Sequence, residues 1–172
     1  MKNLDQRNRI IEYSLKLNST NLSPLRSGNI SLRANEDNTD GYLITPSGKK
    51  YESLKPEEIV FMSMDDEEEK KDSANKPSSE WRFHRDIYLN KKEAQAIVHA
   101  HSPHATAVSS HGKSIPPFHY MIALAGGEDI KCAEYATFGT EELSNNVIQA
   151  LEERSACLMS NHGQVAFGKN LE

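Results

Sequence analysis

Four of the seven histidines fall between residues 96 and 112, in AIVHAHSPHATAVSSHG. Within that stretch His99 and His101 sit one residue apart at the end of an apolar run. On a strand, positions i and i+2 share a face, so the two imidazoles project side by side at a spacing that reaches one metal ion. Two ligands hold zinc poorly, and His162, at the tip of SNHGQ, is the candidate third. Gly163 after it permits a tight backbone, and a hairpin tip can bend over a neighbouring strand end. Three imidazoles with an open fourth position form the donor set of a catalytic zinc site, not of a closed structural one. The plainer alternative, isolated core or surface histidines, stays open on an HxH pair alone. His104 and His111 read as surface residues of the following helix, or, for His104, as support to a ligand.

Glu80 lies in PSSEWRFH, a position expected in the first turn of a helix, where the macrodipole favours an ionised carboxylate. An ordinary helix-start acid would look the same. Ser78 and Ser79 precede it, so the same helix end offers hydroxyls and N–H groups to an anion. Asn29 in SGNIS, with Ser47 and Gly48 in TPSG, belongs to further small-residue loops of the kind that let backbone amides approach a phosphate. The same residue types are ordinary turn formers.

The elements that must position these groups are legible along the chain. Ile10, Ile11, Leu15 and Leu17 recur at helical intervals, which predicts an amphipathic helix over about 3–18. NISLRA and GYLIT read as a hairpin across the turn-forming cluster NEDNTDG. TPSGKKYESLKPEE reads as loop with a brief turn of helix, IVFMS as a strand, and MDDEEEKKDSANKPSS as a solvated loop. A helix is expected after PSS and a strand at QAIVHAH. Next comes a short helix with Ser102 as N-cap, Pro103 at its first position and Gly112 past its end. PFHYMIALAGG reads as a helix, DIKCAEYA as a strand, and GTEELSNNVIQALEERS as a helix capped by Thr140. ACLMSNHGQVAFG reads as two strands around Asn161-His162-Gly163. Strands and helices alternate without strict βαβ units or internal repeats, so a mixed, largely antiparallel sheet flanked by helices is expected.

The whole chain narrows the class. Its 172 residues suit one domain. A 37% hydrophobic and 26% charged composition is that of a soluble globular protein. No stretch approaches the roughly 20 apolar residues of a membrane span. MKNLDQRNRI lacks the apolar region of a secretory signal. Cys132 and Cys157 show no CxxC spacing, which suggests a reduced compartment, by default the cytoplasm, and no thiolate metal site. A net charge of -5, without a basic aromatic stripe, disfavours nucleic acid. A small anionic substrate remains compatible if backbone N–H groups hold its charge.

SGNISLR, LITPSGKKYESL, PSSEWRFHRDIY, IVHAHSPHATAVS, IPPFHYMIALAGG, KCAEYATFGTEELS and NHGQVAFGKNLE occur in the order found in the class II aldolase/adducin family, which the chain resembles over its whole length. The resemblance implies a three-layer α/β/α fold and one Zn2+ per subunit on His99, His101 and His162. Glu80 resembles the family's catalytic acid/base, which also ligates the metal when substrate is absent. Asn29, Ser47, Gly48, Ser78 and Ser79 match phosphate-binding positions. Tyr120 resembles a tyrosine that acts across a subunit interface of a homotetramer. Family members continue past GKNLE, so a C-terminal tail of helices carrying a further tyrosine is expected to be missing from residues 1–172.

The implied activity is reversible cleavage of a ketose 1-phosphate, L-fuculose 1-phosphate-like, into dihydroxyacetone phosphate and a short aldehyde such as lactaldehyde. Such cleavage leaves an ene-diolate, whose charge needs an electrophile in place, and zinc can chelate the ketone oxygen and adjacent hydroxyl together. Glu80 would shuttle the proton, the phosphate loops would fix the remote end, and Tyr120 would serve the aldehyde fragment or simply pack at an interface. Close alternatives are a ketopentose 5-phosphate 4-epimerase, and a dehydratase or aldolase of methylthio- or deoxy-ribulose 1-phosphate. A non-catalytic adducin-like binding module would have lost the metal ligands, which this chain retains. A cupin would want an all-β chain and a glutamate soon after the histidine pair, and this chain has neither.

Overall fold

Asp37 and Asn38 both take left-handed backbone, with φ of 53° and 62°. A two-residue type I′ hairpin requires that conformation, and Asp and Asn tolerate it better than most residues. They join β1 (Asn29–Glu36) to β2 (Thr39–Ile44), with Glu36 opposite Thr39, so the expected hairpin forms. The computed structural model describes residues 1–24, 27–66 and 75–172. Its further strands are β3 (Val60–Ser63), β4 (Ala96–Ala100), β5 (Cys132–Ala133), β6 (Ala156–Met159) and β7 (Gly163–Gly168). They form one sheet in the order β3-β2-β1-β4-β7-β6-β5. Every pairing is antiparallel except β5 with β6, as the mixed, largely antiparallel reading expects.

Alternation along the strands sends neighbouring side chains to opposite faces. Tyr42 and Ile44 enter one core and Leu43 the other. The first core receives Trp81, Phe83 and Ile87 of α2 (Trp81–Asn90) and Leu143 and Val147 of α4 (Glu141–Ala150). The second receives Ile10 and Leu17 of α1 (Leu4–Ser19), together with Ile30, Tyr51 and Ile59. Helices therefore cover both faces, giving the α/β/α layering. Each such large side chain stabilises the fold by roughly 1.5–3 kcal/mol relative to exposure. Arg7 pins α1 to the sheet: it pairs with Glu36 at 2.7 Å and donates to the Ile59 carbonyl at 2.5 Å.

Some elements differ from expectation. PFHYMIALAGG is not an α-helix but a 3-10 turn over Tyr120–Ala125, opened by His119 accepting from the Met121 amide and closed by Gly126 at φ 97°. Pro116 and Pro117 remove donors just before it, and six residues between two caps leave little room for α geometry. DIKCAEYA contributes only the two residues of β5, at the edge of the sheet beside β6, while its Ile130 makes an isolated bridge with Ile115. Ser102, Pro103 and Thr140 begin α3 (Pro103–Ser109) and α4 as the sequence suggests, and the Thr140 hydroxyl accepts from the Leu143 amide at 3.2 Å. Residues 67–74 of the acidic loop lie outside the described residues. Among the described residues no helix is long and apolar enough to cross a membrane.

Candidate metal centre and phosphate pocket

On β4, Ile97 faces the core under α2, so His99 and His101, two and four residues on, turn toward the same side. His99 is fully buried, with the Phe83 ring edge-on at 5.6 Å. His101 stands just past the strand end. β7 runs antiparallel to β4 with Ala100 opposite Gln164, so the turn between β6 and β7 is carried over the end of β4. Asn161 supplies the left-handed backbone of that turn, with φ 55°, and Gly163 supplies space: an added Cβ would sit 2.5 Å from the Ala100 carbonyl oxygen. His162 is thereby brought to His99 and His101, all ring centroids being 4.7–4.9 Å apart. Their potential ligand atoms lie within 4.8 Å of one another.

The proton positions test whether a cation fits. His99 Nδ1 lies 2.9 Å from the Gln164 carbonyl, which can only accept, so Nδ1 carries a proton and Nε2 is the atom left to take a cation, proton or metal ion. That atom faces His101 Nε2 at 2.8 Å and Glu80 Oε2 at 3.1 Å. His162 Nε2 lies 3.1 Å from Glu80 Oε1, yet Oε1 accepts no aligned hydrogen bond although buried. Nitrogen acceptors and a carboxylate converging on one poorly hydrated point repel unless positive charge sits among them. The donor set fits a divalent ion, with the His99–carbonyl bond fixing its ring as ligand histidines are usually fixed.

The electrostatics run the same way. Burial pushes the Glu80 carboxyl up, but the imidazoles of His99 and His162 outweigh it and hold the group well below the usual carboxylate range. Burial pushes His99 down, and the facing carboxylate overcomes it. His101 is pushed down to about 4 by burial and by its two histidine neighbours. The cluster thus keeps an anion ionised and favours compensating charge beside it.

Glu80 is the N-cap residue of α2, not a member of its first turn, and its side chain makes no capping bond. Instead Oε2 accepts from Asn29 Nδ2 at 2.8 Å, while Asn29 Oδ1 lies 2.5 Å from His84 Nε2. His84 is buried and held neutral by that burial, which pushes it down to about 3. Ser31 and Tyr88 continue the chain of bonds beyond it. The sequence reading placed Asn29 in a phosphate loop and passed over His84, Ser31 and Tyr88. The spacing of Glu80, His84 and Tyr88 along one helix face was the available signal.

The TPSG and PSS loops meet through a bridge between Pro46 and Pro77. The Ser47 amide donates to the Lys76 carbonyl and the Ser78 amide to the Thr45 carbonyl, both at 3.0 Å. Asn29, Ser47, Gly48, Ser78 and Ser79 consequently line one hollow of about 280 Å³, with Gly48 at φ 72°. Lys49, missed in the sequence, also lines it and pairs with Glu58 at 3.0 Å. Ser27, Ser79 and Glu80 form a common wall with a second hollow of about 330 Å³, which contains His101, His162, Tyr135 and Phe138. The β5–α4 loop delivers Tyr135 and Phe138, and no local sequence signal marks them. Tyr120 is not among these groups: it is 81% exposed and lines a separate hollow with Phe118 and Ile122. His104 and His111 are exposed.

Residues 8–172 match the family described as Class II Aldolase and Adducin N-terminal domain. An L-fuculose phosphate aldolase of Escherichia coli is 47% identical over 163 residues, 95% of this chain and 73% of that protein. A 5-methylthioribulose-1-phosphate/5-deoxyribulose-1-phosphate aldolase of Rhodospirillum rubrum is 44% identical over 166 residues, 96% of this chain and 72% of that protein. Among solved structures, an L-fuculose 1-phosphate aldolase superposes with a TM-score of 0.87 at 37% identity, covering 96% of this chain and 76% of that one. The order of its motifs, its seven-stranded sheet and these likenesses agree that the chain belongs to the class II aldolase/adducin family, as a carbon–carbon lyase of the aldolase type.

Proposed function

We propose that residues 1–172 form one catalytic domain that reversibly cleaves a ketose 1-phosphate into dihydroxyacetone phosphate and a short aldehyde. The observation that carries this reading is the convergence of His99, His101, His162 and the Glu80 carboxylate on one point, with Glu80, Ser27 and Ser79 shared with a neighbouring small-residue hollow. His99, His101 and His162 would hold a divalent ion, for which three imidazoles make zinc the best match. When bound, that ion supplies Lewis acidity toward the substrate's ketone and hydroxyl oxygens. Glu80 removes a proton from the carbon that becomes the nucleophile in condensation and returns it in cleavage. Ser47, Gly48, Ser78, Ser79 and the Asn29 backbone hold the phosphate, so that binding at the remote end orients the reacting carbons. Tyr135 and Phe138 offer an apolar wall to the aldehyde fragment.

Tyr120 belongs to this reading through a second copy of the chain. Phe118, Tyr120, Leu124, Tyr135 and Phe138 are all more than 60% exposed, an apolar area that association would cover. A homotetramer with sites at its interfaces would bring Tyr120 of one protomer to the hollow of its partner. Free thiols at Cys132 and Cys157 suit a cytoplasmic location.

A coupled assay for dihydroxyacetone phosphate release tests the proposal. L-fuculose 1-phosphate and 5-deoxyribulose 1-phosphate are the first substrates, because the two relatives above carry those names. Release that stops with chelator and returns with zinc is expected. Release indifferent to chelation would remove the metal centre, and inversion of a ketopentose 5-phosphate in place of cleavage would move the reading to an epimerase.

A further inference from the structure

Behind Glu80 runs a ladder of polar side chains that neither the histidine cluster nor the phosphate hollow accounts for. Glu80, His84 and Tyr88 recur every four residues on one face of α2. Asn29 and Ser31 are two residues apart on β1, on the face opposite Ile30. Four helical residues rise about 6 Å and two strand residues about 6.7 Å, so the two series stay in step. All five are buried, at 5% exposure or less. Tyr88 Oη lies 2.9 Å from Ser31 Oγ, Ser31 Oγ 2.7 Å from His84 Nδ1, His84 Nε2 2.5 Å from Asn29 Oδ1, and Asn29 Nδ2 2.8 Å from Glu80 Oε2.

Only one set of donors satisfies every rung. The ionised Glu80 carboxylate accepts, so Asn29 turns its NH2 toward it and its carbonyl toward His84. His84 must then donate from Nε2, and as a neutral ring it accepts at Nδ1 from the Ser31 hydroxyl. Ser31 in turn accepts from the Tyr88 hydroxyl. All four donors point toward Glu80, and bonds aligned this way polarise one another. The ladder engages Oε2 alone. Oε1 is left buried and without an aligned hydrogen bond, on the side of His162.

We infer that Asn29, His84, Ser31 and Tyr88 are positioning residues that lock the Glu80 carboxylate with Oε2 engaged and Oε1 presented for proton transfer. The Asn29 side chain therefore supports the base and does not bind phosphate. The inference rests on the proposed role of Glu80, and its test has one arm that needs no substrate.

The first arm is nitrogen-15 NMR of histidine-labelled, chelator-treated full chain, with the His84 signals assigned by their loss in His84→Gln. A neutral ring protonated at Nε2 is expected. Protonation at Nδ1, or a doubly protonated ring, would overturn the ladder. The second arm uses zinc-loaded protein. His84→Phe should lower kcat about 10–100-fold, with KM and inhibition by inorganic phosphate within about twofold. His84→Gln, whose amide can donate to Asn29, should recover most of that loss. Equal loss in both variants, or weakened phosphate inhibition at unchanged kcat, would overturn the inference. Tyr88→Phe deletes only the outermost hydroxyl and serves where His84→Phe fails to fold. It should lower kcat by about twofold or more at unchanged KM, and an unchanged kcat would count against the ladder. Wild-type protein inert toward every ketose 1-phosphate would end the aldolase reading, while the protonation of His84 would still decide the ladder.

Discussion

Gly163→Ala probes whether the histidine cluster depends on the close approach of two strands. The added Cβ would stand 2.5 Å from the Ala100 carbonyl oxygen and 3.2 Å from His101 Cδ2. To open the first contact to even 3.0 Å, the turn bearing His162 must retreat from β4 by about 0.5 Å, and both obstacles belong to the segment that carries His99 and His101. Overpacking of this kind costs about 1–3 kcal/mol, which for a chain of this size lowers Tm by about 2–12 °C. The same retreat pulls His162 from His99 and His101, so zinc affinity should fall about 10–100-fold. Competition with a chromogenic chelator measures the affinity, and thermal unfolding of the metal-free protein measures the strain. Gly48→Ala is the contrast: nothing lies within 4 Å of its Cβ, but φ is 72°. It should cost about 1 kcal/mol of backbone strain and raise the inhibition constant of inorganic phosphate, leaving zinc affinity unchanged. A Gly163→Ala protein with wild-type zinc affinity and Tm would refute the view that this contact sets the cluster.

Glu80→Gln should retain zinc by metal analysis yet lose cleavage about 100-fold or more, and an empty variant would contradict the separation of base from ligands. The pH dependence of stability has a defined sign. His84 sits near 3 when folded and near 6.5 when unfolded, so the unfolded chain binds the extra proton between those values. Metal-free protein should therefore lose stability as pH falls from about 6.5 toward 3, by up to about 1.4 kcal/mol per pH unit, and His84→Gln should flatten that slope in denaturant titrations. Mixing inactive Tyr120→Phe with inactive His99→Ala after co-refolding should restore part of the activity, because intact sites then form from two different chains. No recovery, with each variant still assembling, would place Tyr120 outside the reaction.

The three clustered histidines were legible because their signals are local. His99 and His101 share a strand face by the period of two, and Asn161-His162-Gly163 sits at a turn flanked by strand-forming runs. Thr140, Ser102, Pro103 and the Asp37-Asn38 turn were legible for the same reason: each acts on backbone within four residues of itself. The 3-10 turn at Tyr120 misled the reading, since an apolar run between prolines and glycines has the same composition in either helical form. Asn29 was legible as a small-residue-loop position and does line the hollow, but the engagement of both ends of its side-chain amide by Glu80 and His84, over fifty residues away, left no local trace.

Local sequence thus determined which elements form, which faces they bury and which side chains are chemically able to bind a metal or move a proton. The pairing of β7 against β4, which sets His162 over the strand end, was decided only in the tertiary structure. So were the bridge joining the TPSG and PSS loops and the stepping of α2 along β1 that aims the Glu80 carboxylate. Periodicity and capping act through bonds between near neighbours and leave a trace in the residue order. A strand's choice of distant partner depends on the summed burial of both sheet faces, and no short window of sequence contains that sum.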